Sequence, residues 1–358
     1  MLSDEYYIRR TFSLAKKAEG GTSPNPLVGA VIVKRGRIIS EGFHRRVGLA
    51  HAEAVAISKA KRGDLEGSTL FINLEPCFHW GRTPPCVDKI ISSGIKRVVI
   101  SVKDPNPLVS GKSIKKLREA GLEVKVGLLR KEAERLNEVF FKNMREKRPF
   151  VVVKFAQTLD GKIADREGNS FWITSYKARS FSKRLRGIYD AVLVGINTVL
   201  KDNPYLDSPS KKITKIILDP NLRISSCFNL FKRGSRVFIF VKKKTKIKKK
   251  FPPHTFIERL TYKEREGFDL DELLKRLYSF GICSLFIEGG SYTIGSFFAK
   301  ALVDKVYIFV APKIALDKEA LSSVSSDRAL SVENFLKIKD LKIERVGRDF
   351  LFSGYPKF

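Results

Sequence analysis

The chain has 358 residues, 68 Lys+Arg against 38 Asp+Glu, a formal charge of +30, and 43% hydrophobic and 11% aromatic residues. At about 150 residues per domain this length predicts two domains, and so large an apolar share excludes a disordered chain despite the charge. No run of about 18 apolar residues occurs, so a membrane-spanning helix is not expected, and the acidic start Met1-Leu2-Ser3-Asp4-Glu5 lacks the apolar core of a secretory signal.

In chain order, Ser3 is placed to cap a helix over 4–19 that Gly20-Gly21 end. A hairpin over 27–34 and 38–43 follows, turning at Gly36. Residues 52–62 read as a helix, 68–74 as a strand, 86–93 as a helix entered through Pro84-Pro85, and 97–102 as a strand. A helix over 111–120, a strand over 122–126 and one long helix over 129–145 close the first half. The charged run ending at Pro149 places a boundary near 146–149, dividing the chain into 1–147 and 148–358. The second half alternates again, with strands at 150–156, 190–195, 213–218, 235–241, 283–288, 304–311 and a pair near 338–354. Its clearest helices are 176–188, 269–280 and 291–300, so both halves are α/β in pattern. Lys242 to Lys250 holds seven Lys in nine residues and reads as a solvated loop.

Four Cys are too few for a disulfide framework, and a reducing cytoplasm is the expected compartment, where grouped Cys read as metal-binding or catalytic. The charge alone leaves open nucleic-acid binding or a cationic surface that attracts small anions. The chemistry concentrates at His51-Ala52-Glu53 and Pro76-Cys77-x8-Cys86. One imidazole and two thiolates suit Zn²⁺ and leave its fourth position for water, the arrangement of a catalytic site. Glu53, two residues from His51, is the natural proton shuttle. H-x-E followed by P-C is a signature of zinc deaminases of nucleobases, although here eight residues rather than two separate the cysteines.

The run Pro76-Cys77-Phe78-His79-Trp80-Gly81-Arg82-Thr83-Pro84-Pro85-Cys86 closely resembles the bifunctional deaminase–reductase family of riboflavin biosynthesis. So do Pro24-Asn25-Pro26, Gly42-Phe43-His44, Asp104-Pro105-Asn106-Pro107, Thr158-Leu159-Asp160-Gly161-Lys162, Trp172-Ile173-Thr174-Ser175, Glu288-Gly289-Gly290 and Ala311-Pro312-Lys313. The resemblance implies a cytidine-deaminase-like three-layer α/β/α domain followed by a dihydrofolate-reductase-like α/β domain. It implies Zn²⁺ held by His51, Cys77 and Cys86, Glu53 as proton donor, and NADPH in the second domain. It implies two steps. The first is deamination of 2,5-diamino-6-ribosylamino-4(3H)-pyrimidinone 5′-phosphate; the second is reduction of the ribosyl side chain to ribityl.

By the same resemblance Asn25, His44, His79 and Arg82 hold the first substrate. As bare residues, Asn25 also reads as a turn residue and His44 as an exposed hairpin end. Ala156, Trp172, Thr198 and Asp202 match positions near the cofactor, and Ser170, Arg186 and Leu206 positions near the second substrate. The segment Gly290, Ser291, Tyr292, Thr293, Ile294, Gly295 and Ser296 is the expected pyrophosphate cradle, where Gly-Gly alone would be only a turn. Lys154 and Glu288 are the candidates for proton handling, with a snorkelling strand lysine as the alternative for Lys154.

One departure stands out. The family usually continues Asp-Pro-x-Leu-Thr-x-Arg, whereas this chain reads Asn203-Pro204-Tyr205-Leu206-Asp207-Ser208-Pro209. The missing arginine would grip a phosphate, and Lys211 or Lys212 are the candidates to replace it. The alternatives are a chain with a weak or lost reductase, and a zinc deaminase acting on nucleic acid. Small phosphorylated ligands, no membrane and a homo-oligomer are the expected partners.

Overall fold

The computed structural model describes residues 2–78, 85–327 and 330–358. The chain divides into two compact units, Met1–Lys147 and Arg148–Phe358.

The first unit opens with helix α1 (Asp4–Lys16), strands β1 (Gly29–Lys34) and β2 (Arg37–Phe43), helices α2 (Ala52–Lys59) and α3 (Arg62–Leu65), and strand β3 (Thr69–Ile72). Helix α4 (Cys86–Ile91), strand β4 (Arg97–Ile100), helix α5 (Lys112–Glu119), strand β5 (Glu123–Val126) and helices α6 (Arg130–Leu136) and α7 (Glu138–Glu146) complete it. The five strands lie in the order β2-β1-β3-β4-β5. Strand β1 pairs antiparallel with β2 and β3, whereas β3, β4 and β5 run parallel.

Alternation along β1 builds three layers. Val31 and Val33 pack with Tyr7, Ile8 and Phe12 of α1 and Phe141 of α7. Ala30 and Ile32 point the other way, onto Ala52 and Ala56 of α2 and Val87 and Ile90 of α4. Helix α1 begins where Ser3 predicts, with Ser3 Oγ accepting from Tyr6 N–H, but it ends at Lys16 and turns through residues 17–20. Helix α2 stops at Lys59 rather than 62, because Ala60 is extended.

The predicted single helix over 129–145 is two helices that meet at Asn137 (φ −110°, ψ 27°). The cause is the Asn137 side chain, which accepts from Leu27 N–H at 2.7 Å and donates to Leu27 C=O at 3.0 Å. An asparagine that bonds foreign backbone competes with the helix it sits in.

The second unit contains β6 (Phe150–Gln157), β7 (Lys162–Ala164), α8 (Tyr176–Arg186), β8 (Ala191–Gly195), α9 (Ile196–Asp202), β9 (Thr214–Leu218), β10 (Val237–Lys242) and β11 (Thr255–Leu260). It continues through β12 (Tyr262–Lys263), β13 (Gly267–Phe268), α10 (Leu270–Ser279), β14 (Ser284–Glu288), α11 (Ser291–Ala299), β15 (Lys305–Val310), β16 (Leu321–Ser322), β17 (Lys337–Val346) and β18 (Asp349–Lys357). Nine strands form one sheet in the order β11-β10-β9-β8-β14-β6-β15-β18-β17. All pairings from β11 to β15 are parallel, and β18 and β17 add an antiparallel edge.

Helices cover both faces of the parallel part, which is why its strands read as continuous apolar runs. Leu285 and Ile287 of β14 pack with Leu273, Leu274 and Leu277 of α10. Val192 and Val194 of β8 pack on the opposite face with Val199 of α9 and Phe231. Strands β7, β11, β12, β13 and β16 and helix α9 are additions to the sequence prediction. The lysine run leaves β10 as a largely exposed loop. One of its members is fixed: Lys249 Nζ donates to the carbonyls of Leu222, Arg223 and Ile224 at 2.7, 3.1 and 2.9 Å.

Candidate active sites

His51 caps α2, Cys86 is the first residue of α4, and Cys77 follows β3 on the adjoining loop. The ends of two helices and a strand thus converge. Cys86 Sγ and Cys77 Sγ lie 3.3 and 3.5 Å from His51 Nδ1, and the three ligand atoms lie within 4.8 Å of one another. Cys86 N–H donates to Cys77 Sγ at 3.2 Å, which favours the thiolate.

Two thiols side by side cannot both ionise unaided. The hydrogen bond from Cys86 pulls Cys77 down to about 4, and that neighbour, with burial, pushes Cys86 up. A divalent cation removes the conflict, so one nitrogen and two sulfur donors fit zinc with a position to spare.

Glu53 begins α2 beside this cluster and is only 3% exposed. Burial, reinforced by the Cys77 charge, pushes its carboxyl up to about 7. A group poised there holds and releases a proton at neutral pH. His51, Glu53 and Cys77 open onto a cavity of about 510 Å³ also lined by Asn25, His44, Glu75, Asp104 and Phe140.

His44 is buried, not an exposed hairpin end. Its Nδ1 lies 3.2 Å from the Ala50 carbonyl, which can only accept, so Nδ1 carries the hydrogen. Nε2 therefore accepts from Asn25 Nδ2 at 3.1 Å. Burial lowers the His44 pKa, so this ring is neutral and orients Asn25 rather than presenting a cation. His79 and Arg82 lie outside the described residues.

Three supports of this cavity carry no motif in the sequence. Asn73 Oδ1 accepts from Gly29 N–H at 2.7 Å, and Asn73 Nδ2 donates to Leu27 C=O at 2.9 Å. With Asn137 it fixes the segment after Asn25. Buried Glu75 accepts from the N–H groups of Asp104, Gly111 and Ile114 and so ties the wall at Asp104 to α5. An asparagine directly after the apolar run 69–72 was the one signal the sequence offered.

In the second unit the parallel register sets Glu288, at the end of β14, beside Lys154 of β6. Arg186, the last residue of α8, grips Glu288 with two bonds, Nε to Oε1 at 3.0 Å and Nη2 to Oε2 at 2.5 Å. Burial works to raise the Glu288 pKa, but Arg186 and Lys154 outweigh it and hold the carboxylate ionised. Burial lowers the Lys154 pKa, Arg186 adds to this, and Glu288 opposes. Lys154 is thus a half-buried ammonium that holds its proton less tightly than an ordinary lysine.

The strand ends β8 and β14 lead into α9 and α11. Gly289 and Gly290 have φ of +106° and +79°, and a Cβ there would sit 3.4 Å from Thr198 Oγ1 and 3.2 Å from Thr293 Oγ1. Gly290, as the cap of α11, offers no side chain to the first N–H groups, and the buried Ser291 Oγ has no hydrogen-bond partner among the described residues. These free donors at the carboxyl edge of a parallel sheet fit a dinucleotide phosphate.

Thr198, Gly290, Ser291 and Thr293 are therefore brought together. Ile294 and Gly295 are buried instead, and a Cβ on Gly295 would meet Ser325 O at 1.8 Å. Tyr292 and Ser296 remain accessible on the helix. Ser170 Oγ donates to Asp202 Oδ1 at 3.4 Å, and burial raises the Asp202 pKa. Trp172 is 58% exposed, with the Arg179 guanidinium 3.9 Å over its ring and its carbonyl accepting from Lys313 Nζ. Ala156 lies on β6 opposite Phe309 of β15.

The Leu206 side chain is packed in the core with Val192, Val194 and Ile213. Lys211 is drawn toward Asp190, at 3.9 Å, before β8.

Residues 149–352 match the RibD C-terminal domain family, and residues 1–102 match the cytidine and deoxycytidylate deaminase zinc-binding region. The chain is 42% identical over 352 residues to the riboflavin biosynthesis protein RibD of Aquifex aeolicus, covering 97% of each chain. It is 40% identical to RibD of Actinobacillus pleuropneumoniae, covering 98% of this chain and 95% of that one. Among solved structures it is similar to a diaminohydroxyphosphoribosylaminopyrimidine deaminase/5-amino-6-(5-phosphoribosylamino)uracil reductase from Thermotoga maritima, at 41% identity, TM-score 0.87 and 99% coverage of both chains.

Proposed function

This chain belongs to the RibD family of bifunctional riboflavin-biosynthesis enzymes, a deaminase joined to a reductase, and from that premise we propose how its residues divide the two reactions. In the deaminase, His51, Cys77 and Cys86 hold zinc, which when bound supplies Lewis acidity and lowers the pKa of its water to about 7. Glu53 takes one proton from water as the oxygen bonds to the 2-carbon and gives it to the ring nitrogen; it then takes the second proton from the new hydroxyl and gives it to the amino group, so that the carbon–nitrogen bond breaks, ammonia leaves the 2-position of the phosphoribosylamino-pyrimidinone and a carbonyl remains. Its carboxyl, pushed up to about 7, is matched to both directions of transfer. Asn25, oriented by neutral His44, contacts the base.

In the reductase, NADPH supplies the hydride. Gly290, Ser291, Thr293 and Thr198 hold its phosphates. Lys154 donates the proton that opens the ribosylamine ring, and Glu288 stays ionised, paired with Arg186, to keep Lys154 oriented. The observation that carries this reading is the clustering of His51, Cys77 and Cys86 beside a cavity that His51, Cys77 and buried Glu53 line.

A coupled assay tests it: ammonia release from the diamino pyrimidine followed by substrate-dependent NADPH oxidation. Both steps are expected. Glu53→Gln should retain zinc and lose ammonia release by about 10²- to 10⁴-fold. Ammonia release from oligonucleotides but not from the pyrimidine would overturn the reading.

A further inference from the structure

In place of the threonine and arginine expected after Leu206, the chain carries Asp207 and Pro209. A bare carboxylate here would repel a phosphorylated substrate. Asp207 is not bare. Lys215 Nζ, on a side chain with no exposure, lies 3.0 Å from Asp207 Oδ1 and also donates to Leu230 C=O at 2.8 Å. Arg233 Nη1 lies 2.9 Å from Asp207 Oδ2. Arg186 Nη1 donates to the Asp207 carbonyl at 2.6 Å, which joins this group to Glu288 and Lys154.

The connected set holds four cations, Lys154, Arg186, Lys215 and Arg233, against two carboxylates, Asp207 and Glu288, so 4 − 2 leaves an excess of +2. A phosphate monoester carries about −1.5 to −2 at pH 7. Of the four cations, Lys154 and Arg186 face Glu288 and Lys215 is sealed in the fold. Arg233 is different. Its side chain is 62% exposed, and its guanidinium lies at ion-pair distance from Asp207 Oδ2, which accepts no hydrogen bond, with Cζ 4.6 Å from the centre of the Tyr205 ring. Its Nε and Nη2 have no partner among the described residues.

We propose that Arg233 is the phosphate-binding guanidinium of the reductase, reaching the ribosyl 5′-phosphate from a different loop than the one that lost its arginine. Asp207 is its positioning residue, and Lys215 neutralises that carboxylate so that the loop accepts an anion. Lys211 is occupied by Asp190 and does not serve.

The proposal rests on the reductase assignment above, and its test separates the two. NADPH oxidation by the full chain is followed with the deaminated substrate and with its 5′-hydroxyl analogue, for wild type, Arg233→Ala and Arg233→Lys. Oxidation by wild type with the phosphorylated substrate is the reductase assignment itself; its absence would sink that assignment. Given it, Arg233→Ala should raise KM for the phosphorylated substrate by about 10- to 100-fold, the worth of a hydrogen bond to a charged group. Its kcat should stay within about threefold, and KM for the analogue should not move. Arg233→Lys, which keeps the charge beside Asp207, should show a smaller rise, again for the phosphorylated substrate alone. Equal KM changes for both substrates, or none, would overturn the proposal; should the alanine variant not fold, the same comparison in Arg233→Lys decides.

Discussion

Replacing Asn137 by Ala isolates what one side chain contributes to the deaminase cavity. The change removes two hydrogen bonds to Leu27, but their losses differ. Leu27 C=O keeps the bond from Asn73 Nδ2 at 2.9 Å, whereas Asn137 Oδ1 is the acceptor of Leu27 N–H. The orphaned N–H costs about 1–3 kcal/mol. Alanine's better helix propensity at the α6–α7 junction offsets at most about 0.7 kcal/mol. The net loss is therefore about 0.3–3 kcal/mol, or about 1–12 °C in the transition of the first unit. Leu27 is two residues from Asn25, so the loosened segment should also raise KM for deamination and leave NADPH oxidation unchanged. Calorimetry and the two separate assays read this. An unchanged transition with an unchanged deaminase KM would refute the clamp, and an equal loss in both activities would show that the effect is not local.

Gly42→Ala should impair the deaminase at a distance. A Cβ there would sit 2.3 Å from Ala52 O and 2.6 Å from Ala56 N, so α2 must shift, carrying Glu53; a stability loss of about 1–3 kcal/mol with reduced kcat is expected by denaturation and ammonia release. The reductase should show an alkaline limb set by Lys154. A lysine that must carry a proton loses activity as pH rises through its folded pKa, and burial places that below the ordinary 10.5. In Lys154→Met the limb should vanish and kcat fall by about 10²- to 10⁴-fold; an unchanged pH–rate profile would exclude Lys154 as the donor.

Most of the architecture was legible because the central strands are short, apolar and flanked by turn residues, and because His51 and Cys86 fall where helices begin. What the sequence hid depends on contacts made far along the chain. Asn137 looks like one more polar helix residue until Leu27 is placed against it. Lys215 sits in the strand pattern Thr214–Leu218 and gives no sign that it is wholly buried on Asp207. Leu206 matches a ligand-binding position, yet its side chain belongs to the core. The +30 charge first suggested nucleic acid. Four of its cations cluster around Asp207 and Glu288, and Lys249 staples a loop, whereas much of the lysine run is plain surface.

The central claim is that His51, Cys77, Cys86 and Glu53 form a working zinc deaminase. Ammonia release from the diamino pyrimidine, measured against bound zinc as chelated protein is reloaded, tests it directly. Activity should rise from near zero in proportion to zinc and level off at about one ion per chain. Full ammonia release from protein depleted of metal would contradict it.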